Sequence, residues 1–487
     1  MNLLFSIQIP KRTLLRWFAG VLIIKIAWLV VFTLLRNPEW KESLEVGIIG
    51  LKTGDSKTYY KPLEYLMNTG TYYGACRMPG LLPVYFPLRL ILDVTAAQQV
   101  ITLLQFVLES LSCVVLGIIG ARIYNSRRSF EVIAILSCIT TFVTIRNLFL
   151  LSDSFCIAAL IFSVYYLTNY ILTNRSRQLL YAGIFMAWAI FLRQISLLAL
   201  GIMLFILCVH WWKNRRLIIT GAFVFLLPIL LALAAWTIRN WITYQRVIVL
   251  VPPLEECMYD YTPEAAGIRE LIITLGEDFQ PWAVGGGANW FFQQPLDGGA
   301  PSPFEDQQFT SVMGMQQLAD LRSDFRQLSK DSLSDGLRDS LEESVIQRAQ
   351  AYSASFKNEH PIQYHLGNRM VFARNFFFPS RFDDLPFPTQ ANMNFLHKAI
   401  KGWSLISLWM VNGLAILFFL YSIFKRYWNQ VLWSLMPFAM VVLLVYSGFI
   451  EQRYLATSFP FFLMIIAGNL SRRKLFNREL AFGSADN

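Results

Sequence analysis

Ten apolar runs, at about residues 13–35, 97–121, 130–145, 154–173, 178–193, 195–212, 217–238, 403–424, 428–449 and 453–470, constrain this chain more than any other feature. A hydrocarbon core of ~30 Å takes about 20 apolar residues to cross as a helix. Inside it every backbone N–H and C=O must find a partner within the protein, which makes helices the spanning form for runs of this length. The expected fold is an all-α polytopic membrane protein of about ten transmembrane helices. Composition agrees: of 487 residues, 55% are hydrophobic and only 15% charged, unlike ordinary soluble usage.

Lys and Arg in short loops stay on the cytoplasmic side. The clusters Lys11/Arg12/Arg16, Arg122/Arg127/Arg128, Arg175/Arg177, Lys213/Arg215/Arg216, Lys425/Arg426 and Arg472/Arg473/Lys474 fall at alternate ends of the ten runs. Both termini are therefore expected on the cytoplasmic side, and the absence of outer sequons with the compact size suits a bacterial inner (cytoplasmic) membrane. The Asp55 loop, residues 146–153 and 193–194, the long segment 242–402 and the Glu451 turn come out on the extracytoplasmic face. Residues 252–398 hold eleven basic against twenty acidic residues, so the chain's net +10 resides in its membrane-flanking parts. That makes the basic balance a topology signal, and nucleic-acid binding is not expected. The first run is too long for a signal-peptide core and lacks a small-x-small cleavage site, so it is expected to be a retained helix.

Four regions follow: an N-terminal transmembrane block, 1–245, with its first outer loop at about 37–95; an extracytoplasmic domain, 246–402; C-terminal transmembrane helices, 403–470; and a cytoplasmic tail, 471–487. The long outer segment exceeds a simple loop and must fold. Residues 304–358 carry apolar positions at helical spacing, whereas 285–303 is Gly/Pro punctuation expected to be a mobile connection. No Lys-Ser/Thr follows that Gly run, so it is not a phosphate loop. The six cysteines show no CxxC spacing, and only Cys76 and Cys257 are able to meet outside the spans. His210, His360, His365 and His397 form no zinc spacing. The sequons at Asn174 and Asn469 fall on the inner side and are expected to be unused.

Polar residues gathered by this topology at the outer ends of the runs are Asp55, Arg77, Arg146, Asn147, Asp153, Arg193, Gln194, Arg239, Asn240, Glu451, Arg453 and Tyr454. Any one of them alone suits an interfacial anchor or a helix cap. Isolated carboxylates together with several arginines suit a reaction that binds an anion while removing a proton. The guanidinium fork matches phosphate oxygens and keeps its charge, and a carboxylate becomes a competent base when burial raises its pKa. Glycosyl transfer from a lipid phosphate needs both, because the acceptor loses a proton while the phosphate leaves with growing charge. Lys25 and Glu109, inside runs one and two, are expected to form a buried structural pair or to snorkel. Pro62 is expected to kink or delay the helix that begins near Tyr59. Pro79, Pro83 and Pro87 suit an interfacial segment that dips into the outer leaflet.

The order apolar run, Asp55-x-x-x-Tyr59, Gly70-Thr71-Tyr72 and Arg77-Met78-Pro79-Gly80-Leu81-Leu82-Pro83 resembles the first outer loop of GT-C type glycosyltransferases. Leu151-Ser152-Asp153-Ser154, Phe191-Leu192-Arg193, Trp236-Thr237-Ile238-Arg239-Asn240, Pro361 to Arg374, and Arg453-Tyr454 with Pro460 continue the likeness. It covers about 1–245 and 360–470 and little of 255–355. Those polytopic enzymes use polyprenyl-phosphate-linked sugars, and they include the aminoarabinose transferases acting on lipid A and the protein O-mannosyltransferases. The resemblance implies a cell-envelope glycosyltransferase whose partners are a polyprenyl-phosphate-linked sugar, a glycan, lipid or protein acceptor and the bilayer. It implies Asp55 as the catalytic carboxylate and Asp153 as a second acid. The donor phosphate would fall to Arg77, Arg453, Arg239, Arg193 and Arg146, with Tyr59, Tyr60, Tyr454, Glu451 and Asn240 lining the substrate. Many relatives carry a second acid beside or two residues after the first, where this chain has Ser56 and Lys57. A divalent metal, which wants several oxygen ligands, and any other cofactor are therefore not expected. The alternatives are a ligase that transfers a glycan from a polyprenyl diphosphate, and a transporter or flippase of lipid-linked glycans.

Overall fold

The computed structural model describes residues 4–37, 48–52, 55–74, 76–212, 215–251, 262–277, 286–296, 302–328, 333–380, 385–388, 390–448 and 451–472. Helix follows helix along the chain: α1 (Lys11–Leu34), α2 (Ser56–Thr69), α3 (Leu82–Arg89), α4 (Val94–Tyr124), α5 (Arg127–Ile139), α6 (Phe142–Arg146), α7 (Asp153–Thr173), α8 (Ser176–Leu192), α9 (Ser196–Trp211) and α10 (Arg215–Tyr244). They continue as α11 (Pro263–Thr274), α12 (Gly287–Phe292), α13 (Met315–Gln327), α14 (Asp335–Glu359), α15 (Asn368–Phe377), α16 (Phe395–Phe424), α17 (Trp428–Ser447) and α18 (Phe459–Arg472). Among the described residues the one β feature is an isolated parallel bridge between Leu51 and Phe149. The protein is an all-α membrane protein: α1, α4, α7, α10, α16 and α17 are long and apolar enough to cross a membrane, and α8, α9 and α18 are shorter apolar helices.

The third expected span, about 130–145, is not one helix. α5 ends at Ile139, Thr140 is extended (φ −83°, ψ 135°), and α6 is a five-residue turn. Adjacent threonines offer hydroxyls that compete with helix continuation: Thr140 Oγ1 donates to Leu136 O at 2.9 Å, and Thr141 Oγ1 lies 2.8 Å from Ser404 Oγ on α16. A buried polar network secures the break. Lys25 Nζ on α1 sits 2.7 Å from Glu109 Oε1 on α4 and donates to Thr144 Oγ1 and Ser137 O, both at 2.6 Å. Asn147 Nδ2 donates to Glu109 Oε2, and Ser154 Oγ donates to Asn147 Oδ1. The expected Lys25–Glu109 pair is thus formed, and it straps the irregular chain from 140 to 154. Irregular backbone at such depth is tolerated where protein surrounds it.

The chain forms two compact units, one of residues 1–251, 377–441 and 451–487, the other of 252–376 with 442–450. Residues 377–441 belong with the helix block: the Asn37 N–H donates to Pro386 O at 2.8 Å, and His397 Nε2 lies 2.9 Å from Leu35 O at the end of α1. Within that block Gly183 of α8 meets α10 so closely that a Cβ would lie 2.2 Å from Phe225 O, the small-residue contact by which apolar helices approach.

The second unit has its own core, in which Leu271 and Ile272 of α11 pack with Leu321 of α13 and Phe356 of α14. Part of the stretch expected as a mobile Gly-rich connection is instead the buried helix α12, because Trp290 and Phe291 insert into this core. The rest of that stretch, 285 and 297–301, lies outside the described residues, as does Cys257. Cys76 is disulfide-bonded.

Candidate active site

Asp55 stands at the N-cap position of α2, yet its side chain makes no cap hydrogen bond. Its Oδ2 accepts instead from Arg453 Nη1, with Arg77 Nη2 3.6 Å away. Thr58 braces this pairing from below, since its Oγ1 donates to Asp55 O at 2.7 Å and accepts from Arg77 Nε at 3.0 Å. The Arg77 guanidinium lies 4.7 Å from the centre of the buried Tyr59 ring, a cation–π contact. α2 itself runs unbroken through Pro62 and ends at Gly70, whose φ of 74° suits the left-handed C-cap that glycine adopts without penalty.

Arg453 has a second acid: its Nε is 2.5 Å from Glu451 Oε1. One guanidinium thus stands between two carboxylates drawn from opposite ends of the chain. Tyr454 lies beneath both Arg453 and Arg193, at 5.5 and 5.4 Å from its ring centre. Arg193, at the C-cap of α8, donates from Nη2 to Asp153 Oδ2 at 2.5 Å, and both side chains are buried. Asp153 occupies the first turn of α7, where a negative charge suits the helix dipole. Its other oxygen, Oδ1, is buried with no hydrogen-bond partner, and so is Arg193 Nε. Arg146 is buried at the end of α6, 5.6 Å from the Phe142 ring, and its charge acts on Glu451.

The two acids beside Arg453 respond differently to this setting. Burial pushes Asp55 upward, but the charges of Arg453 and Arg77 outweigh it and hold the carboxyl below its ordinary value. Burial also raises Glu451, aided by the negative charge of Asp55, and here Arg453, Arg193 and Arg146 do not cancel the rise. Asp55 is therefore an ionised anchor, while Glu451 is the acid whose proton affinity is enhanced.

Three devices position these groups. Leu51, just before Asp55, donates to Leu148 O at 2.7 Å and accepts from the Leu150 N–H at 2.9 Å, which ties the approach to Asp55 to the approach to Asp153. Glu64 on α2 takes Arg89 Nε at 2.7 Å and Nη2 at 3.1 Å, plus the Tyr85 hydroxyl, so α2 and α3 are clamped by a two-pronged pair. Gly80 presses on the end of α8, where a Cβ would lie 2.4 Å from Phe191 O, and its own carbonyl accepts from Trp188 Nε1 at 2.9 Å. The loop bearing Arg77 is thereby seated beside Arg193. The clamp has no local signature, since Glu64 and Arg89 are 25 positions apart. Gly80 was visible as the glycine of the Arg-x-Pro-Gly run, although its packing role was not.

Asp55, Arg77, Asp153, Arg193, Glu451, Arg453, Tyr454, Tyr59 and Arg146 thus converge. Arg239 and Asn240 do other work. The Arg239 guanidinium donates to Tyr72 O, to Gly74 O at 3.4 Å and to Asn240 Oδ1 at 2.8 Å, boxed by the rings of Tyr72, Trp236 and Tyr244 at 5.0–5.3 Å. Asn240 is fully buried and donates to Ile248 O at 2.8 Å. These two hold the 72–74 loop, whose Tyr72 hydroxyl in turn donates to Arg77 O at 2.9 Å. Tyr60 is partly exposed, with Lys52 Nζ 5.8 Å from its ring centre. Among the described residues no group of three or more His, Cys, Asp or Glu is placed to hold a metal ion. No protein-family model, curated protein or solved structure matches this chain.

Proposed function

We propose that this chain is a membrane glycosyltransferase that moves a sugar from a polyprenyl-phosphate carrier to a glycan, lipid or protein acceptor on the extracytoplasmic face. The observation that carries the reading is the alternation Arg77, Asp55, Arg453, Glu451, set beside the Asp153–Arg193 pair at the start of α7 and the end of α8. Transfer from a lipid phosphate asks for cations that stay charged when partly buried and for acids that orient and deprotonate a hydroxyl. Arg77, Arg193 and Arg453 supply the first, and Asp55, Asp153 and Glu451 the second. Asp153 Oδ1, buried with no donor, is suited to receive an acceptor hydroxyl. The Arg-x-Pro-Gly loop and the Asp-x-x-x-Tyr segment of the GT-C resemblance are the parts that carry Arg77 and Asp55, which adds weight to the same conclusion.

Purified wild type and Asp55→Asn would be given a panel of radiolabelled polyprenyl-phosphate sugars in liposomes, with release of polyprenyl phosphate measured. Turnover that collapses in a folded Asp55→Asn protein supports the proposal. Turnover with diphosphate-linked glycans alone favours the ligase, and lipid movement between leaflets without turnover favours the flippase.

A further inference from the structure

Asp55 and Glu451 share Arg453, but they are held differently. Asp55 receives an aligned hydrogen bond from Nη1 and has Arg77 as a second cation. Glu451 faces Nε at 2.5 Å in an ion pair that lacks hydrogen-bond alignment. Their side chains are similarly exposed, 25% and 22%, and they differ in how Arg453 meets them. We propose that Glu451 takes the proton of the acceptor hydroxyl, while Asp55 stays ionised as the fixed counter-charge of Arg77 and Arg453. This deepens the glycosyl-transfer reading and rests on it.

The step balances. The acceptor oxygen bonds to the anomeric carbon and its proton passes to a Glu451 carboxylate oxygen. The bond from that carbon to the phosphate oxygen breaks, and its electron pair stays with the phosphate. Phosphate gains one negative charge as Glu451 loses one, so site and ligand keep the same net charge throughout. Neutral Glu451 no longer offsets the charge of Arg453, which is then available to the phosphate as its charge grows, when such stabilisation counts most. The charged groups acting on Glu451 are Arg453 on its own turn, Arg193 after α8, Asp55 before α2 and Arg146 on α6. Their combined effect with burial is to raise its proton affinity, which suits a base working near neutral pH. Asp55, held low by two cations, is a poor proton acceptor there.

The product complex tests this without knowledge of sugar or acceptor. Farnesyl phosphate would be titrated calorimetrically into the detergent-solubilised full chain in buffers of different ionisation heat, which counts the protons exchanged on binding. At about pH 7.5 a phosphate monoester, with a second pKa near ~6, is already largely a dianion, so a proton taken up lands on the protein. Uptake of about one proton per ligand is expected in wild type, kept in Glu451→Asp, and near zero in Glu451→Gln. Binding without uptake in wild type overturns the assignment even if Glu451→Gln fails to fold. Uptake that survives Glu451→Gln overturns it as well. No binding of farnesyl phosphate by folded wild type instead removes the glycosyl-transfer reading, and the assignment with it.

Discussion

Arg453 Nη1 donates to Asp55 Oδ2 across 398 positions of the chain. The turn before α18 therefore holds the carboxylate that opens α2, and Asp55 is spent on this pairing instead of on capping its helix.

Asp55 and Glu451 should leave opposite marks on stability as pH changes. Asp55 is held low in the folded protein. Its contribution is complete above the unfolded value of ~3.9 and lost as pH falls through the folded one. Asp55→Asn should melt below wild type at neutral pH, with the gap closing below about pH 4. Glu451 is held high, so its ionisation costs stability progressively as pH climbs from ~4.3 towards the folded value. Glu451→Gln should gain on wild type over that climb. Melting curves in detergent across this range decide the matter, and parallel profiles for both variants would refute the assignment of the two settings.

The Lys25–Glu109 pair is buried on both sides, at 1% and 7% exposure. Removing one partner strands a charge, so Lys25→Met or Glu109→Leu should each destabilise by about 3–5 kcal/mol. The double substitution should recover most of that loss. Unfolding by SDS titration in mixed micelles measures the cycle, and additive losses would show that the two charges do not depend on one another.

A methyl group at Gly80 meets backbone atoms of Phe191 and Leu192 at 2.4–2.5 Å, which cannot swing aside as a side chain does. Gly80→Ala should shift the Arg77 loop away from Arg193. Farnesyl phosphate binding should weaken by a factor of about ten or more, the scale of one misplaced charge-assisted hydrogen bond. Unchanged affinity in calorimetry would mean that the loop adapts.

Arg239 is predicted to act through the chain it holds. Arg239→Lys cannot satisfy the carbonyls of residues 72 and 74 with the same fork, so proteolysis within 70–77 should quicken. Arg77→Lys should instead weaken phosphate binding and leave cleavage there unchanged. Limited trypsin and chymotrypsin digestion with mapping by mass spectrometry separates the two.

Apolar runs made the helix block legible, because length and hydropathy alone govern what can cross a bilayer. The break at Thr140-Thr141 was hidden, since two threonines among apolar residues do not lower hydropathy enough to mark it. Its cause lies in Lys25, Glu109 and Ser404, distant in sequence. The converging acids and arginines were visible as polar residues at helix ends, but their pairing was not. Arg239 and Arg453 look alike in sequence, and only the structure shows one boxed by aromatic rings and the other between two carboxylates. The Gly-rich stretch misled for a similar reason, as Trp290 and Phe291 outweigh the glycines once a core exists to receive them.

The tether between Leu51 and residues 148 and 150 is made by main-chain hydrogen bonds. Such a join does not draw on side-chain polarity, so positions 51 and 150 can exchange among apolar residues that fit their buried sites while the two acid-bearing segments stay together. Proline is the exception at either position, because it deletes the N–H that forms the join. The geometry linking Asp55 to Asp153 is in this sense written in backbone, and it can outlast exchange among apolar residues of similar volume at the buried positions around it.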